Sequence, residues 1–127
     1  MKIRLDHINI KAPMPALRQE KQFFCELLGL QEGFRPQFST PGYWLYADDK
    51  PLIHLSESGD DVMHQGCVDH VAFQASGLAA FIDCLRDRQT PYTMNHIAET
   101  RTTQVFVRSP LGVRLEVLFI GERIQPD

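Results

Sequence analysis

The sequence contains no apolar run that approaches the roughly 20 residues of a membrane-spanning helix. It also lacks a basic start followed by an apolar core, which is the pattern of a secretory signal peptide. These absences argue against a membrane protein and against export. With 43% hydrophobic and 23% charged residues, we expect a soluble globular protein that stays in the cytoplasm.

Cysteine is scarce as well. The chain has three, Cys25, Cys67 and Cys84, and none of them forms a C-x-x-C motif. An odd number without this spacing is typical neither of a disulfide framework nor of a thiol redox site. We therefore predict that the three thiols are small buried hydrophobic groups in a reducing compartment.

Positively charged residues are fewer than negatively charged ones. The chain has 13 Lys and Arg and 16 Asp and Glu, which gives a net charge of −3 and a pI near 5.9. Proteins that bind nucleic acid usually present a basic face, so we expect no nucleic-acid partner. The length of 127 residues suits one compact domain, or two small halves that share one core.

What the chain does contain is an internal repeat. The fragment LDHINI begins at residue 5 and returns as VDHVAF at residue 68. Each copy predicts a short strand with a histidine in its middle. Each is followed by a helical pattern and then by further strands, so residues 5–55 and 68–119 form two copies of one order. Such a repeat indicates a fold built from two similar modules.

Local signals define the elements of the two copies. In the first, the helical pattern ends at Gly29, and GYWLYADD and KPLIHLSES predict a hairpin. In the second, Ser76 is placed to cap a helix, a short segment YTMNHI follows, and TQVFVRS and GVRLEVLFI predict another hairpin. We expect the terminal GERIQPD to be a frayed end.

The repeat aligns four residues of types that bind divalent metal ions. His7 lies 63 residues before His70, and His54 lies 62 residues before Glu116. Successive side chains of a strand point to opposite faces. Each of the four residues lies on a strand face that carries both polar and apolar side chains, and the opposite face of the same strand is uniformly apolar. We therefore predict that the apolar faces pack on the helices and that the four residues line a cavity.

Each candidate has an ordinary structural explanation when it is taken alone. A lone strand histidine is more often hydrogen-bonded than a ligand, and Glu116 alone suits an exposed strand edge. The repeat favours metal binding because it ties the four residues to equivalent places. Asp6 and Asp69 also repeat, but they point to the opposite face and are predicted to be hydrogen-bonding residues. His64 and His96 have no counterpart at the repeat offset, so structural or solvated roles are favoured for them.

Taken together, LDHINI, PLIHL, VDHVAF and GVRLEV resemble the vicinal oxygen chelate superfamily. This group includes glyoxalase I, extradiol dioxygenases, fosfomycin-resistance transferases, methylmalonyl-CoA epimerase and bleomycin-resistance proteins. The resemblance runs from about residue 3 to about residue 120. It implies an α+β fold in which paired βαβββ modules, about 3–57 and 66–120, form one cup-shaped mixed sheet with helices outside. The whole chain, residues 1–127, would then be a single glyoxalase-like domain.

The resemblance also implies a metal centre. His7 and His70 match the first-strand ligands, Glu116 matches the last-strand carboxylate, and His54 falls where glyoxalase I and the epimerase place another ligand. Such ligands suit Fe, Mn, Ni, Co or Zn. A small oxygen-rich substrate would chelate the ion through two oxygens, and the ion would act as a Lewis acid or as a template for O₂. His54 and Glu116 are then the candidate catalytic residues.

Which activity follows stays open. Two His and one Glu suit a dioxygenase, whereas a fourth ligand at His54 favours a lyase or isomerase. Glyoxalase I has carboxylates in both halves, so His54 departs from it, although histidine can also act as a general base. A fosfomycin-type reaction needs a cationic pocket, for which Arg101 and Arg108 are available. The alternative is a metal-independent protein that binds a small molecule or an antibiotic, as bleomycin-resistance proteins do.

The candidates for the cavity wall are aromatic and polar residues near the four candidate ligands: Tyr43, Trp44, Tyr46, Tyr92, Thr103, Gln104 and Phe106. The resemblance further implies a homodimer, in which the modules that close one cup come from one chain or from two.

Overall fold

The computed structural model describes residue 2, residues 5–59, residue 68 and residues 70–124. The chain divides into two compact units, Met1–Met63 and His64–Asp127, which we call unit 1 and unit 2. The predictions made for His64, Cys67 and Asp69 lie outside the described residues.

Unit 1 is a βαβββ module. Its elements are, in chain order, β1 (Ile8–Ala12), α1 (Met14–Leu28), β2 (Gln31–Gly33), β3 (Gly42–Ala47) and β4 (Lys50–Glu57). The strands form one sheet in the order β1-β4-β3-β2, in which β1 is parallel to β4 and the other neighbours are antiparallel. The predicted hairpin of β3 and β4 is confirmed, with Asp48 and Asp49 in its turn.

Unit 2 repeats this arrangement. Its elements are β5 (Val71–Ala75), α2 (Leu78–Asp87), β6 (Tyr92–Ile97), β7 (Thr102–Arg108) and β8 (Arg114–Ile120). The sheet order is β5-β8-β7-β6, and β5 is parallel to β8. Within the described residues the chain thus has two helices and eight strands in two four-stranded mixed sheets, which confirms the predicted α+β class built from βαβββ modules. Neither helix of this part of the chain is long and apolar enough to cross a membrane.

One face of each sheet is apolar and buried. On β4, the neighbours of His54, Ile53 and Leu55, are 1% and 0% exposed, and α1 contacts this strand. On α2, Phe81 meets Phe119 of β8 with ring centroids 5.5 Å apart. Burial of each such side chain contributes about 1.5–3 kcal/mol to stability. The prediction that the strand faces opposite the candidate ligands are buried is confirmed for β4 and β8. On β1 and β5 the corresponding residues, Ile8, Ile10, Val71 and Phe73, are half-buried.

The two histidines of the repeat lie just outside their strands. Parallel pairing starts at Ile8↔Ile53 in unit 1 and at Val71↔Leu115 in unit 2. His7 and His70 precede these pairs, so the prediction of a histidine in the middle of each strand is wrong. Their backbones lie outside the hydrogen-bonded ladder, directly before the first paired residue of each first strand.

The ends of the two helices are stabilised in different ways. Gly29 ends α1 with φ of 71°, a left-handed conformation that glycine adopts without strain, as predicted. The prediction that Ser76 caps α2 is wrong, because the N-cap residue is Gly77 and it makes no side-chain cap hydrogen bond. The carboxylate of Glu122 instead accepts hydrogen bonds from the backbone N–H groups of Gly77 and Leu78, at 3.0 and 2.9 Å. A carboxylate there satisfies free N–H groups and suits the helix dipole.

The same contacts correct the expectation of a frayed C-terminal segment. Besides its side-chain contacts, Glu122 accepts a hydrogen bond at its backbone oxygen from the hydroxyl of Thr103, at 2.6 Å. The segment GERIQPD is therefore anchored at its second residue, and residues 125–127 lie outside the described part of the chain.

Two of the three cysteines are described. Cys25 and Cys84 are both half-buried on the helices rather than fully enclosed as predicted. Burial is still sufficient to raise the pKa of the Cys25 thiol above its usual value, which disfavours the reactive thiolate.

Candidate functional site

The four candidate ligands occupy equivalent positions in their respective sheets. In each unit, the repeated histidine stands two residues before a first-strand residue that pairs with the candidate ligand of the last strand. The pairs are Asn9↔His54 in unit 1 and Ala72↔Glu116 in unit 2. Although each histidine precedes its strand, it lies beside the candidate ligand of the last strand. The ring centroids of His7 and His54 are 3.8 Å apart, and Nε2 of His70 lies 3.5 Å from Oε1 of Glu116. Each sheet therefore brings two metal-binding side chains to one place.

In unit 1, Asp6 orients the ring of His7. Nδ1 of His7 lies 2.7 Å from Oδ2 of Asp6, and this hydrogen bond lowers the pKa of the Asp6 carboxyl below its usual value. An ionised carboxylate only accepts, so Nδ1 carries the proton and Nε2 presents its lone pair. Metal-binding histidines are commonly oriented by a carboxylate in this manner. The prediction that Asp6 is a hydrogen-bonding residue is confirmed.

Three rings of unit 1 form a stack with His54 in the middle. Its ring centroid lies 3.8 Å from that of His7 and 4.0 Å from that of Trp44, with interplanar angles of 9° and 11°. The lone pair of an imidazole lies in the plane of its ring, so two parallel rings do not both aim a nitrogen at one ion. In this arrangement one of the two histidines can bind an ion. The other has to rotate out of the stack before it can join.

The environment keeps His54 neutral. Burial lowers its pKa below the usual value, and the electrostatic interaction with the neighbouring His7 ring lowers it further. The backbone oxygen of Pro51, 3.1 Å from Nε2 of His54, acts in the opposite direction. Since Nε2 donates to that oxygen, the lone pair of the neutral ring is on Nδ1. A neutral imidazole can either bind a metal ion or accept a proton.

In unit 2, His70 and Glu116 form the corresponding pair. Nε2 of His70 lies 3.5 Å from Oε1 of Glu116. Two donors that bind one ion at about 2.1 Å stand roughly 3.0–3.5 Å apart at octahedral or tetrahedral angles, so the spacing of this pair fits a shared ion. Glu116 is only 7% exposed, and a buried carboxylate requires hydrogen bonds or a cation.

Three neighbours surround this second pair. The amide of Gln104 donates to Oε1 of Glu116 at 3.3 Å. The ring of Phe106 meets that of His70 edge to face at 5.8 Å, and the guanidinium of Arg114 lies 4.3 Å from the same Phe106 ring. Nη1 of Arg114 also approaches Nδ1 of His70 to 3.3 Å. An arginine can only donate, so in this contact Nδ1 of His70 is the acceptor and Nε2 carries the proton. An ion bound at Nε2 needs the proton on Nδ1 instead, and the contact with Arg114 then has to break.

Unit 1 contains an open cavity beside its ring stack. Its volume is about 320 Å³, within the range of small-molecule sites. It is formed by strand residues around His54 and by the loop between β2 and β3, and it is lined by Asn9, Arg35, Phe38, Ser39, Thr40, Trp44, His54, Leu55 and Ser56. The hydroxyl of Ser56 donates to Oδ1 of Asn9 at 3.1 Å, which gives the cavity a polar edge.

The predicted ligands are thus brought together as two pairs, one in each unit. The donor types, imidazole and carboxylate, fit a divalent transition metal. Within the part of the chain that the structure describes, no group of three or more His, Cys, Asp or Glu side chains is placed to hold a metal ion. A single site that uses all four residues therefore stays a prediction.

The remaining predicted residues separate into two groups. Trp44, Gln104 and Phe106 contact the candidate ligands, as described above. The other four have structural contacts. Lys21 lies over the Tyr43 ring, Tyr46 donates to the backbone oxygen of Phe34, Tyr92 pairs with Val107 in the ladder of β6 and β7, and the Thr103 hydroxyl lies 3.0 Å from Nδ1 of His96.

Arginines other than Arg101 and Arg108 lie beside the candidate ligands. Arg108 donates to the backbone oxygen of Gly112, and Arg101 lies in the turn before β7. The arginines beside the candidate ligands are Arg114 in unit 2 and Arg35 in unit 1. The signal for Arg114 was available, because it stands two residues before Glu116 and therefore shares its face. Arg35 belongs to a loop, where no such periodicity operates.

No protein-family model matches the sequence. No curated protein matches it either.

Solved structures match the fold. A protein from Bacillus anthracis assigned to the glyoxalase family has a TM-score of 0.76 at 20% identity, covering 94% of this chain and 97% of that one. A glyoxylase/bleomycin resistance protein/dioxygenase domain from Frankia sp. EAN1pec has a TM-score of 0.75 at 15% identity, covering 94% and 98%. A mutant of the fosfomycin resistance protein FosX from Listeria monocytogenes, complexed with Mn(II) and 1S,2S-dihydroxypropylphosphonic acid, has a TM-score of 0.75 at 12% identity, covering 94% of both chains. The chain therefore has the fold of the vicinal oxygen chelate superfamily, which its sequence motifs resemble.

Proposed function

We propose that this protein is a divalent-metal-dependent enzyme of the glyoxalase or dioxygenase type that acts on a small oxygen-rich substrate. The supporting observation is that each βαβββ module presents two metal-binding side chains side by side, at equivalent positions of its sheet. Packing explains one such histidine easily, but it does not explain the same pairing twice. The Mn(II) in the FosX relative agrees with a role for a divalent ion in this fold.

The proposed ligands are His7, His70 and Glu116. His7 offers Nε2 while Asp6 holds its other nitrogen, and Glu116 offers a buried carboxylate oxygen. When bound, the ion supplies a Lewis acid that withdraws charge from the substrate oxygens. Fe, Mn, Ni, Co and Zn all suit this donor set.

His54 is proposed as the group that exchanges a proton with the substrate. Its neutral ring is held between His7 and Trp44, with a lone pair on Nδ1 and the proton on Nε2 directed at Pro51. A base in this position favours lyase or isomerase reactions, which move a proton. If the stack opens, His54 becomes a fourth ligand. If His54 neither exchanges a proton nor binds the ion, the three remaining ligands suit a ring-cleaving dioxygenase.

The test is the metal content of the purified protein, followed by titration of the metal-free form with Mn(II), Ni(II) and Zn(II). His70→Ala and Glu116→Gln should each weaken binding by at least the roughly 10–100-fold that loss of a mere supporting residue causes. His96→Ala is the matched control, because His96 bonds to Thr103 and not to the proposed ligands. Binding that is equally tight in His70→Ala and His96→Ala removes His70 from the site.

We further propose a homodimer, and a mixing experiment shows which chains form the site. Light scattering should give twice the chain mass of 14.5 kDa, and a monomer contradicts the proposal. His7→Ala and Glu116→Gln are then mixed after unfolding and refolding together. If ligands from two chains form each site, mixed dimers regain one intact site. If both modules of one chain form it, no site is regained.

A metal-independent binding protein is the second candidate. The observation that favours it is the cavity of unit 1, whose aromatic and polar lining needs no ion to accept a small molecule. Metal analysis separates the two candidates. A protein that binds no divalent ion in any of the titrations, yet binds a small aromatic compound, belongs to the second class.

A further inference from the structure

The cavity of unit 1 has an uneven charge. Its lining contains the guanidinium of Arg35 but no Asp or Glu side chain. The remaining polar groups, from Asn9, Ser39, Thr40 and Ser56, are neutral. A concave site with one fixed positive charge and no nearby carboxylate in its wall attracts an anion.

Arg35 is held in position for such a ligand. Its Nη1 donates to the backbone oxygen of Thr40 at 2.9 Å, and its Cζ lies 4.9 Å from the centre of the Phe38 ring. A Cβ at Gly42 would stand 3.0 Å from both Cζ and Nη2 of Arg35 and would clash with the backbone oxygen of Leu55, so a glycine is required where the guanidinium rests on β3. A side chain fixed at several points loses little entropy when it binds a ligand.

The guanidinium also has donor capacity that the protein does not use. Nε of Arg35 is buried and has no hydrogen-bond partner among the described residues. An unmet buried donor is unfavourable, and the planar fork of an arginine matches the two oxygens of a carboxylate. Because Arg35 lines the cavity, a carboxylate that enters it can take up this donor capacity.

The other feature of the cavity is its flat aromatic surface. Phe38 is 51% exposed although it is a large apolar side chain. Its ring centroid lies 6.1 Å from that of Trp44 at an angle of 40°, so the two rings form an open wedge rather than a closed stack. Aromatic ligands gain both apolar burial and favourable ring geometry against such surfaces.

From these features we infer that the cavity of unit 1 binds a small aromatic carboxylate, with the carboxylate at Arg35 and the ring against Phe38 and Trp44. This inference rests on the proposed function, because it names the substrate class of the site beside His54. Such a ligand would bind through both its carboxylate and its aromatic ring. Phosphate lacks the ring and aliphatic acids lack its flat surface, so both should bind more weakly.

The experiment uses the fluorescence of Trp44, which is the sole tryptophan of the chain and lines the cavity. The full-length protein, in metal-free and metal-loaded forms, is titrated with three probes. Benzoate carries both the charge and the ring, benzamide has the same shape without the charge, and cyclohexanecarboxylate has the charge without the flat ring. Benzoate should change the fluorescence saturably and bind about tenfold or more tightly than either of the others.

Substitution of Arg35 provides the second part. Arg35→Gln should weaken benzoate about tenfold and leave benzamide unchanged. Arg18→Gln, on the exposed face of α1, is the control and should alter neither. If circular dichroism shows that Arg35→Gln does not fold, Arg35→Lys decides, because it keeps the charge but loses the fork and should still weaken benzoate selectively.

Each contrary result overturns a defined part of the inference. Benzamide that binds as well as benzoate, or benzoate binding unaffected at Arg35, overturns the carboxylate contact. Cyclohexanecarboxylate that binds as tightly as benzoate overturns the aromatic contact, and no saturable benzoate response overturns the whole. Failure of the proposed function is distinguishable, because metal binding is measured separately. Benzoate binding without any metal uptake retains the cavity assignment and rejects the metalloenzyme.

Discussion

His54 and Glu116 occupy the same position in their respective sheets, and each pairs with an aromatic residue in the last hairpin of its own module. His54 pairs with Trp44, and Glu116 pairs with Phe106. The chemical surroundings nevertheless differ. Trp44 stacks on His54 itself, whereas Glu116 is hydrogen-bonded by Gln104 and stands beside His70. The second module therefore has the polar partners that hold a charged ligand, and the first has the enclosed neutral ring that suits proton exchange.

Asp6 should influence metal binding without touching the ion. Asp6→Asn weakens the hydrogen bond that keeps the proton on Nδ1 of His7, so the lone pair at Nε2 is less well oriented. We expect metal affinity to fall about tenfold, as is typical of residues that support a ligand. Titration of the metal-free protein measures this. Asp49→Asn, in the exposed turn between β3 and β4, is the matched control, and an equal affinity in both variants contradicts the orienting role.

Glu122 should stabilise the folded protein through α2. Glu122→Ala removes the acceptor of the Gly77 and Leu78 N–H groups, so we expect the free energy of unfolding to fall by about 1 kcal/mol, as for loss of other helix caps. Urea denaturation followed by circular dichroism measures the change. Glu99→Ala, in the exposed turn before β7, should leave stability unchanged. A loss in Glu122→Ala no larger than in Glu99→Ala contradicts the capping role.

The order of the elements and the equivalence of the four candidate ligands followed from the sequence. A repeat offset of 62 or 63 residues aligns His7 with His70 and His54 with Glu116, so the two modules carry the candidate ligands at equivalent positions. Gly29 was found because a helix C-terminus is marked by a local residue preference. Such signals are contained within a few residues, and a sequence displays them directly.

The features that the sequence did not reveal depend on distant contacts. Glu122 caps a helix that begins 44 residues earlier in the chain, so the local preference for Ser76 was misleading. The stack of His54 on Trp44 depends on side-chain rotamers, which strand periodicity does not determine. Arg35 reaches the cavity from a loop, where neither the helical nor the strand period applies.

The stability of the metal-free protein should fall as the pH falls through the range in which histidine titrates. The folded pKa of His54 is below its unfolded value of about 6.5, so the unfolded chain binds more protons between the two values. The contribution of His54 is therefore complete above about pH 6.5 and is lost as the pH falls through the folded pKa. Melting temperatures between about pH 7.5 and 5 measure the slope. His54→Phe should make this slope shallower, and a slope that is unchanged in His54→Phe contradicts this assignment.

The role of His54 can be separated from its packing by one substitution. His54→Phe keeps a flat ring between His7 and Trp44 but removes both nitrogens, whereas His54→Ala also removes the stack. If His54 is the proton-exchanging group, His54→Phe should bind the metal ion almost as tightly as the unaltered protein, since His7, His70 and Glu116 remain. It should then show no turnover of a substrate that the unaltered protein converts.

His7→Phe makes the same substitution at a proposed metal ligand and is the control. Its affinity for the metal ion should fall by at least the roughly 10–100-fold that loss of even a supporting residue causes. A loss in His54→Phe as large as in His7→Phe would assign His54 to the metal instead, and would require the ring stack to open when the ion binds. Retention of both affinity and turnover in His54→Phe would leave His54 only a packing role. The three-ligand centre of a dioxygenase would then be the better description, because no base would remain at the position equivalent to Glu116.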